Sequence, residues 1–314
     1  MVRRFHPDLS RDESDVVVVY SKERRLEGNA DAMANRREEL PPGRLRPSFF
    51  ILWSAASFLV LGMIVRRILW RGAAMGKVEK ETLKFTTPDH FNIAADFYFG
   101  AAKKDVSQPC VVLVHQFYQS KEQWGTFPDE LVNAGYKVLA YDIRGHGASD
   151  KVKDMTSLLS DPQQAPFDFD GALNWLSDGL RRVTRTPSEK EQKGVDVHRL
   201  AVVGTSIGGY IACGANAIYP ENVKTAVAIS SSKKGVLDFL KHKPGKHRMR
   251  SVFYIAAKGD GTHAKDAEEL AANYTDAPKK VKVFDDASEH GIFLLNKKPE
   301  AKKLVKDWLK ENLK

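Results

Sequence analysis

Leu200-Ala201-Val202-Val203-Gly204-Thr205-Ser206-Ile207-Gly208-Gly209 decides the reading of this chain. An unbroken apolar run ends in a glycine, and an amphipathic pattern over Ile207–Tyr219 begins three residues later. A run apolar on every position suits a parallel strand covered on both faces, and a 3.6-residue period suits a helix. The turn between them has the form G-x-S-x-G, with Gly204 and Gly208 two residues either side of Ser206. Such a turn is so tight that only glycine fits at those two places, and it holds the serine in a strained conformation with its hydroxyl projected outward. A glycine-rich strand-to-helix turn with an incidental serine is the plainer alternative, and the placement between strand and helix favours a nucleophile.

Outward from this stretch, further buried-strand runs follow one another: Cys110–His115, Val138–Asp142, Thr225–Ser230, Val252–Ala257 and Val281–Phe284. Helical patterns alternate with them over Glu122–Ala134, Asp168–Leu180, Ala264–Tyr274 and Pro299–Leu313, and the runs Glu81–Thr86 and Ile93–Phe99 precede them. The alternation predicts an α/β fold with a largely parallel sheet over residues 81–314.

A serine hydroxyl needs an adjacent base that is itself oriented by a third group. After the elbow an acid and then a histidine are expected in chain order. Asp260 stands just past Val252–Ala257, and His290 just past the final strand. Open α/β sheets place site residues at these strand ends. His263 competes as base, and Asp266, Asp285 and Asp286 compete as acids. The N–H of Ile207 is available as one oxyanion donor, and Phe117, in the loop after Cys110–His115, is chosen as the second. Gln116 and Tyr118 flank it as candidate substrate contacts.

These stretches, HQFYQSKEQW at 115–124, YDIRGHGAS at 141–149, GTSIGG at 204–209, AAKGD at 256–260 and EHG at 289–291, resemble an α/β-hydrolase. The spacing is similar to that of dienelactone-hydrolase-like and serine-aminopeptidase-like members. The resemblance implies an eight-stranded, mostly parallel sheet flanked by helices. It implies a Ser206/Asp260/His290 triad that hydrolyses an ester, thioester or amide through an acyl-enzyme, without metal or organic cofactor. Gln116 stands where many relatives have glycine. In the turn at 142–149, Arg144 is expected to bond loop carbonyls while His146 braces the site, and His115 is read as a core residue. About 20 residues separate the strands ending near Ser231 and beginning near Ser251, too few for a helical cap domain. They are rich in lysine and arginine and are read as a solvated loop, with attraction of anionic substrates or lipid head groups as the alternative.

The 314 residues carry 49 Lys+Arg against 40 Asp+Glu, a formal charge of +9, and 42% are hydrophobic, which excludes a wholly disordered chain. The basic residues are interleaved with acids and lack a binding motif, so nucleic acid is not an expected partner. Two cysteines, Cys110 and Cys213, build neither a disulfide framework nor a cysteine metal site. Residues 1–47 read as a polar, disordered tail whose only apolar run is Val16–Tyr20. Ser48–Val65 is free of charge and flanked by arginines, and as a helix would span roughly 27 Å. Residues 48–70 are therefore expected to form an uncleaved, single-pass membrane helix, with 71–80 as a linker; a buried core helix is the alternative. Flanking charges are nearly balanced and do not fix the side, and an extracytoplasmic catalytic domain is carried forward as the expectation. The oligomeric state and the choice between Met1 and Met33 as start stay open. The expectation is thus a membrane-tethered, carboxylesterase-like serine hydrolase of a small ester. A peptidase or acyltransferase on the same triad is one rival, and a non-catalytic binding or scaffold protein another.

Overall fold

A computed structural model describes Val18–Val19 and residues 77–101, 106–160, 164–181, 194–241, 245 and 247–314. The expected tail beyond Val18–Val19, and residues 48–70, lie outside the described residues. No helix among the described residues is long and apolar enough to cross a membrane.

Eight strands in chain order build the sheet: β1 (Val78–Thr86), β2 (Asn92–Gly100), β3 (Gln108–Val114), β4 (Lys137–Tyr141), β5 (Val195–Thr205), β6 (Val223–Ile229), β7 (Val252–Ala257) and β8 (Lys279–Phe284). Their spatial order is β1-β2-β4-β3-β5-β6-β7-β8; β2 runs antiparallel to both its neighbours, β1 and β4, and the other neighbouring pairs are parallel. Val18–Val19 adds a two-residue parallel strand outside β8, opposite Val281 and Lys282, so part of the expected tail joins the sheet edge. The linker expected over 71–80 is also corrected, because Val78, Glu79 and Lys80 already pair with Gly100, Phe99 and Tyr98. Charged side chains on this largely exposed edge strand gave its first residues the texture of a linker.

The central strands are covered on both faces, as their uninterrupted apolar sequences require. On one face lie α3 (Ala165–Arg181), α4 (Ile207–Ile218) and α6 (His263–Tyr274); on the other lie α1 (Phe127–Asn133) and α8 (Pro299–Asn312). Shorter helices are α2 (Ser157–Ser160), α5 (Lys233–Leu240) and α7 (Ile292–Lys297). The helix expected over 122–134 is divided: a 3-10 turn at Lys121–Trp124 stops at Gly125, which has φ 54°, and α1 restarts with Pro128 in its first turn.

The loop expected between Ser231 and Ser251 contains α5, which begins where the Ser232 hydroxyl accepts the Gly235 N–H. Among its described residues, Lys233 pairs with Glu269, Lys234 and Lys241 with Asp238, and Arg248 with Asp276.

Candidate active site

Because β3 and β5 through β8 run parallel, the loops after their C-terminal ends share one edge of the sheet. That edge receives Gln116-Phe117-Tyr118 after β3, Ser206 after β5, Ser230 after β6, Asp260 after β7 and His290 after β8.

Ser206 has φ 52° and ψ −116°, a left-handed conformation unusual for a residue with a side chain. The strain is held by the flanking glycines. A Cβ on Gly204 would fall 1.9 Å from the Gly208 carbonyl oxygen, and one on Gly208 would fall 2.2 Å from that of Val114. The Ser206 N–H is fixed to the Ile229 carbonyl at 2.8 Å, and α4 begins at Ile207. As the first residue of that helix, Ile207 has no intrahelical acceptor for its N–H.

His290 and Asp260 come together as the strand order predicts. His290 Nδ1 lies 2.9 Å from Asp260 Oδ2 and 3.1 Å from Oδ1. The competing acids are engaged elsewhere: Asp266 with Thr262, Asp285 with Lys258 and Asp286 with Lys298. Burial would raise the Asp260 carboxyl, but hydrogen bonds from His263, His290 and Ser230 outweigh it and hold the group well below the usual carboxylate range. His263, the competing base, sits on the same carboxylate at 3.3 Å while its Nδ1 also meets the Asp260 carbonyl at 2.7 Å. Its hydrogen bond to Asp260 raises its pKa. Asp260, His263 and His290 are also the one group among the described residues with ligand atoms close enough to hold a metal ion. The Ser206 hydroxyl makes no hydrogen bond to His290 in this structure. The two are linked through their neighbours, since Gly291 lies against Thr205.

The His290 loop is pinned by two residues with other expected roles or none. Gln116, expected to contact substrate, is buried, and its Oε1 accepts the Ile292 N–H at 2.9 Å. A Cβ on Gly291, at φ 58°, would fall 2.0 Å from that oxygen, so the close approach of the two loops requires glycine there. Ser230 was not singled out by sequence. It is buried with φ 52°, and its Oγ accepts the Gly291 N–H at 2.9 Å. The only signal was its position at the end of a buried-strand run.

The loop after β3 is braced by two histidines. His115 Nδ1 donates to the Gln116 carbonyl at 2.7 Å, and its Nε2 accepts the Ile143 N–H at 2.9 Å. Burial pushes its pKa down to about 3, so it stays neutral. His146 Nδ1 bonds the Arg144 carbonyl, and its Nε2 accepts the Tyr118 N–H at 3.1 Å. That bond holds Tyr118 at φ 59° and leaves the preceding N–H, on Phe117, without a partner among the described residues. Arg144 departs from its expected bonds to loop carbonyls. Its guanidinium meets Asp168 at 2.7 Å and Asp89 through two bonds of 2.6 and 2.9 Å. Burial pushes the Asp168 carboxyl up to about 6 against the pull of Arg144.

A model of the alpha/beta hydrolase fold family matches residues 109–257. Over those residues the chain belongs to the α/β-hydrolase fold family. Solved structures share the fold. An esterase from Pyrococcus furiosus is 19% identical over 75% of this chain and 93% of its own, with a TM-score of 0.56. A dienelactone hydrolase from Anabaena variabilis is 16% identical over 76% and 99%, with a TM-score of 0.55. A hypothetical protein from Pseudomonas aeruginosa is 16% identical over 76% and 94%, also at 0.55. No curated protein matches the sequence significantly.

Proposed function

We propose that this α/β-hydrolase is a serine esterase working through Ser206, His290 and Asp260. The observation that carries the reading is the strained Ser206 elbow on the same sheet edge as an ionised Asp260 bonded to His290 Nδ1. With Nδ1–H donated to Asp260, the His290 Nε2 presents a lone pair and takes the Ser206 proton as Oγ attacks the ester carbonyl. The carbonyl oxygen, now negative, is received by the N–H groups of Ile207 and Phe117. His290 then gives its proton to the departing alkoxide, leaving an acyl-serine. A water molecule, deprotonated by His290 in its turn, attacks the acyl carbon, and collapse returns Ser206 to its hydroxyl form. Asp260 keeps its charge throughout, orienting and stabilising the imidazolium.

Ester rather than amide chemistry is supported by the esterase and the dienelactone hydrolase among its structural relatives. Two of the three exposed large hydrophobics among the described residues lie beside site residues. Tyr118 (68% exposed) follows Phe117, and Phe293 (51% exposed) lies three residues beyond His290. Their exposure supports an ester with an apolar group that covers them on binding. In the same proposal residues 48–70 anchor the enzyme to a membrane with its catalytic domain extracytoplasmic, which alkaline carbonate extraction and protease protection would test. Hydrolysis of p-nitrophenyl esters by the full chain tests the chemistry: Ser206→Ala should abolish turnover with the thermal melt unchanged. Turnover persisting in that variant would remove Ser206 from the mechanism.

A further inference from the structure

In the proposed mechanism one imidazole on Asp260 is enough, yet the structure places two there. His263 opens α6, three residues after Asp260 across a turn made by Gly261 at φ 55°, and His290 arrives from the loop after β8. Asp260 Oδ2 is 2.9 Å from His290 Nδ1, and Oδ1 is 3.3 Å from His263 Nδ1. One nitrogen or oxygen of each residue lies within 4.8 Å of those of the other two, and the rings meet edge to face at 4.8 Å between centroids. A tetrahedral zinc ion, with bonds of about 2.0–2.1 Å, needs its ligand atoms about 3.3 Å apart. Asp260 Oδ1 already stands close to this distance from both nitrogens, 3.1 Å from His290 and 3.3 Å from His263, and the ligand atoms of the two rings lie within 4.8 Å of each other. All three side chains keep some exposure, with His290 the most open at 35%, so an ion from solvent can reach them.

We propose that Asp260, His263 and His290 form a zinc-class divalent-cation site whose occupation switches the hydrolase off. The regulation rests on the triad reading; the binding does not. Coordination uses the Nδ1 lone pair of each histidine, so each ring must carry its proton on Nε2 instead. The ring stays neutral, with the Nδ1 proton exchanged through solvent for one on Nε2. For His290 this inverts the tautomer that catalysis requires: Nε2–H cannot accept the Ser206 proton, and the Asp260 carboxylate is spent on the ion. Imidazole nitrogen with carboxylate oxygen favours zinc or a neighbouring late transition ion over magnesium or calcium.

Two measurements on the full chain test this. Zinc chloride is titrated against p-nitrophenyl ester hydrolysis in chelator-free buffer, with EDTA added afterwards, for wild type, His263→Ala and His263→Gln. Zinc binding is followed separately by competition with a chromophoric zinc chelator. Wild type should lose activity reversibly. Both variants should hydrolyse ester in the absence of metal and should need at least about tenfold more zinc for the same fractional loss. The chelator should report one zinc bound by wild type and a matching loss of affinity in the variants. Wild-type activity indifferent to zinc, or equal sensitivity in the His263 variants, would overturn the proposal. If the metal-free chain hydrolyses nothing, the esterase reading fails while chelator competition still decides the metal site; magnesium matching zinc would overturn the assigned ion class.

Discussion

Glycine-to-alanine changes at the elbow separate backbone collision from side-chain adjustment. In Gly204→Ala the new Cβ would lie 1.9 Å from the Gly208 carbonyl oxygen and 2.1 Å from its carbon, where ordinary contact begins at 3.4 Å. Relief demands that the start of α4 withdraw by about 1.5 Å, carrying Ser206 and the Ile207 N–H away from where the reaction needs them. A displacement of this order costs roughly a hundredfold in rate, and overpacking costs about 1–3 kcal/mol in stability. Gly208→Ala collides with Val114 and His115 carbonyls and should behave alike. Gly209→Ala is the control: its Cβ would meet the Ser231 hydroxyl, which can rotate away, so its rate should stay within about threefold of wild type. Esterase kcat/KM and urea melts of the three variants give the answer. Gly204→Ala at wild-type rate, or Gly209→Ala as damaging as Gly204→Ala, would refute the argument.

Arg144→Met strands the fully buried Asp168 without its partner and should cost about 3–5 kcal/mol, read as a large fall in thermal midpoint; a loss under about 1 kcal/mol would contradict the buried pairing. His115 gives a pH signature. The unfolded chain takes up a proton below about pH 6.5, while the folded chain, with the group pushed down to about 3, does not. Stability should therefore fall as pH drops from about 6.5 towards 3, by up to about 1.4 kcal/mol per pH unit from this residue. Urea melts of His115→Asn against wild type across that window should show the shallower slope in the variant. Asp260→Asn should keep the fold but lower kcat by several orders of magnitude, because the amide favours the wrong His290 tautomer. Joint truncation of Tyr118 and Phe293 to alanine should raise KM for long-chain esters more than for acetate.

The parts of the fold legible in the sequence were those governed by local pattern. Continuous apolar runs marked the strands, and the glycines at 204 and 208 marked the elbow because nothing larger fits. The order Asp260 then His290 followed from strand ends on a parallel sheet, a topological rule. What escaped were long-range or compensated features. Gln116 meets Ile292 across 176 positions, and Arg144 exchanges loop carbonyls for carboxylates at Asp89 and Asp168; no local spacing encodes either contact. Helix α5 was hidden because its lysines read as loop, their acidic partners lying partly on α6.

The most direct measurement of the central claim is active-site labelling. The full chain is treated with a fluorophosphonate, its intact mass is read, and the adduct is mapped by peptide sequencing. A single adduct on Ser206, absent in His290→Ala, is the predicted result. A folded wild-type protein that takes no adduct, or takes it on another residue, would contradict it.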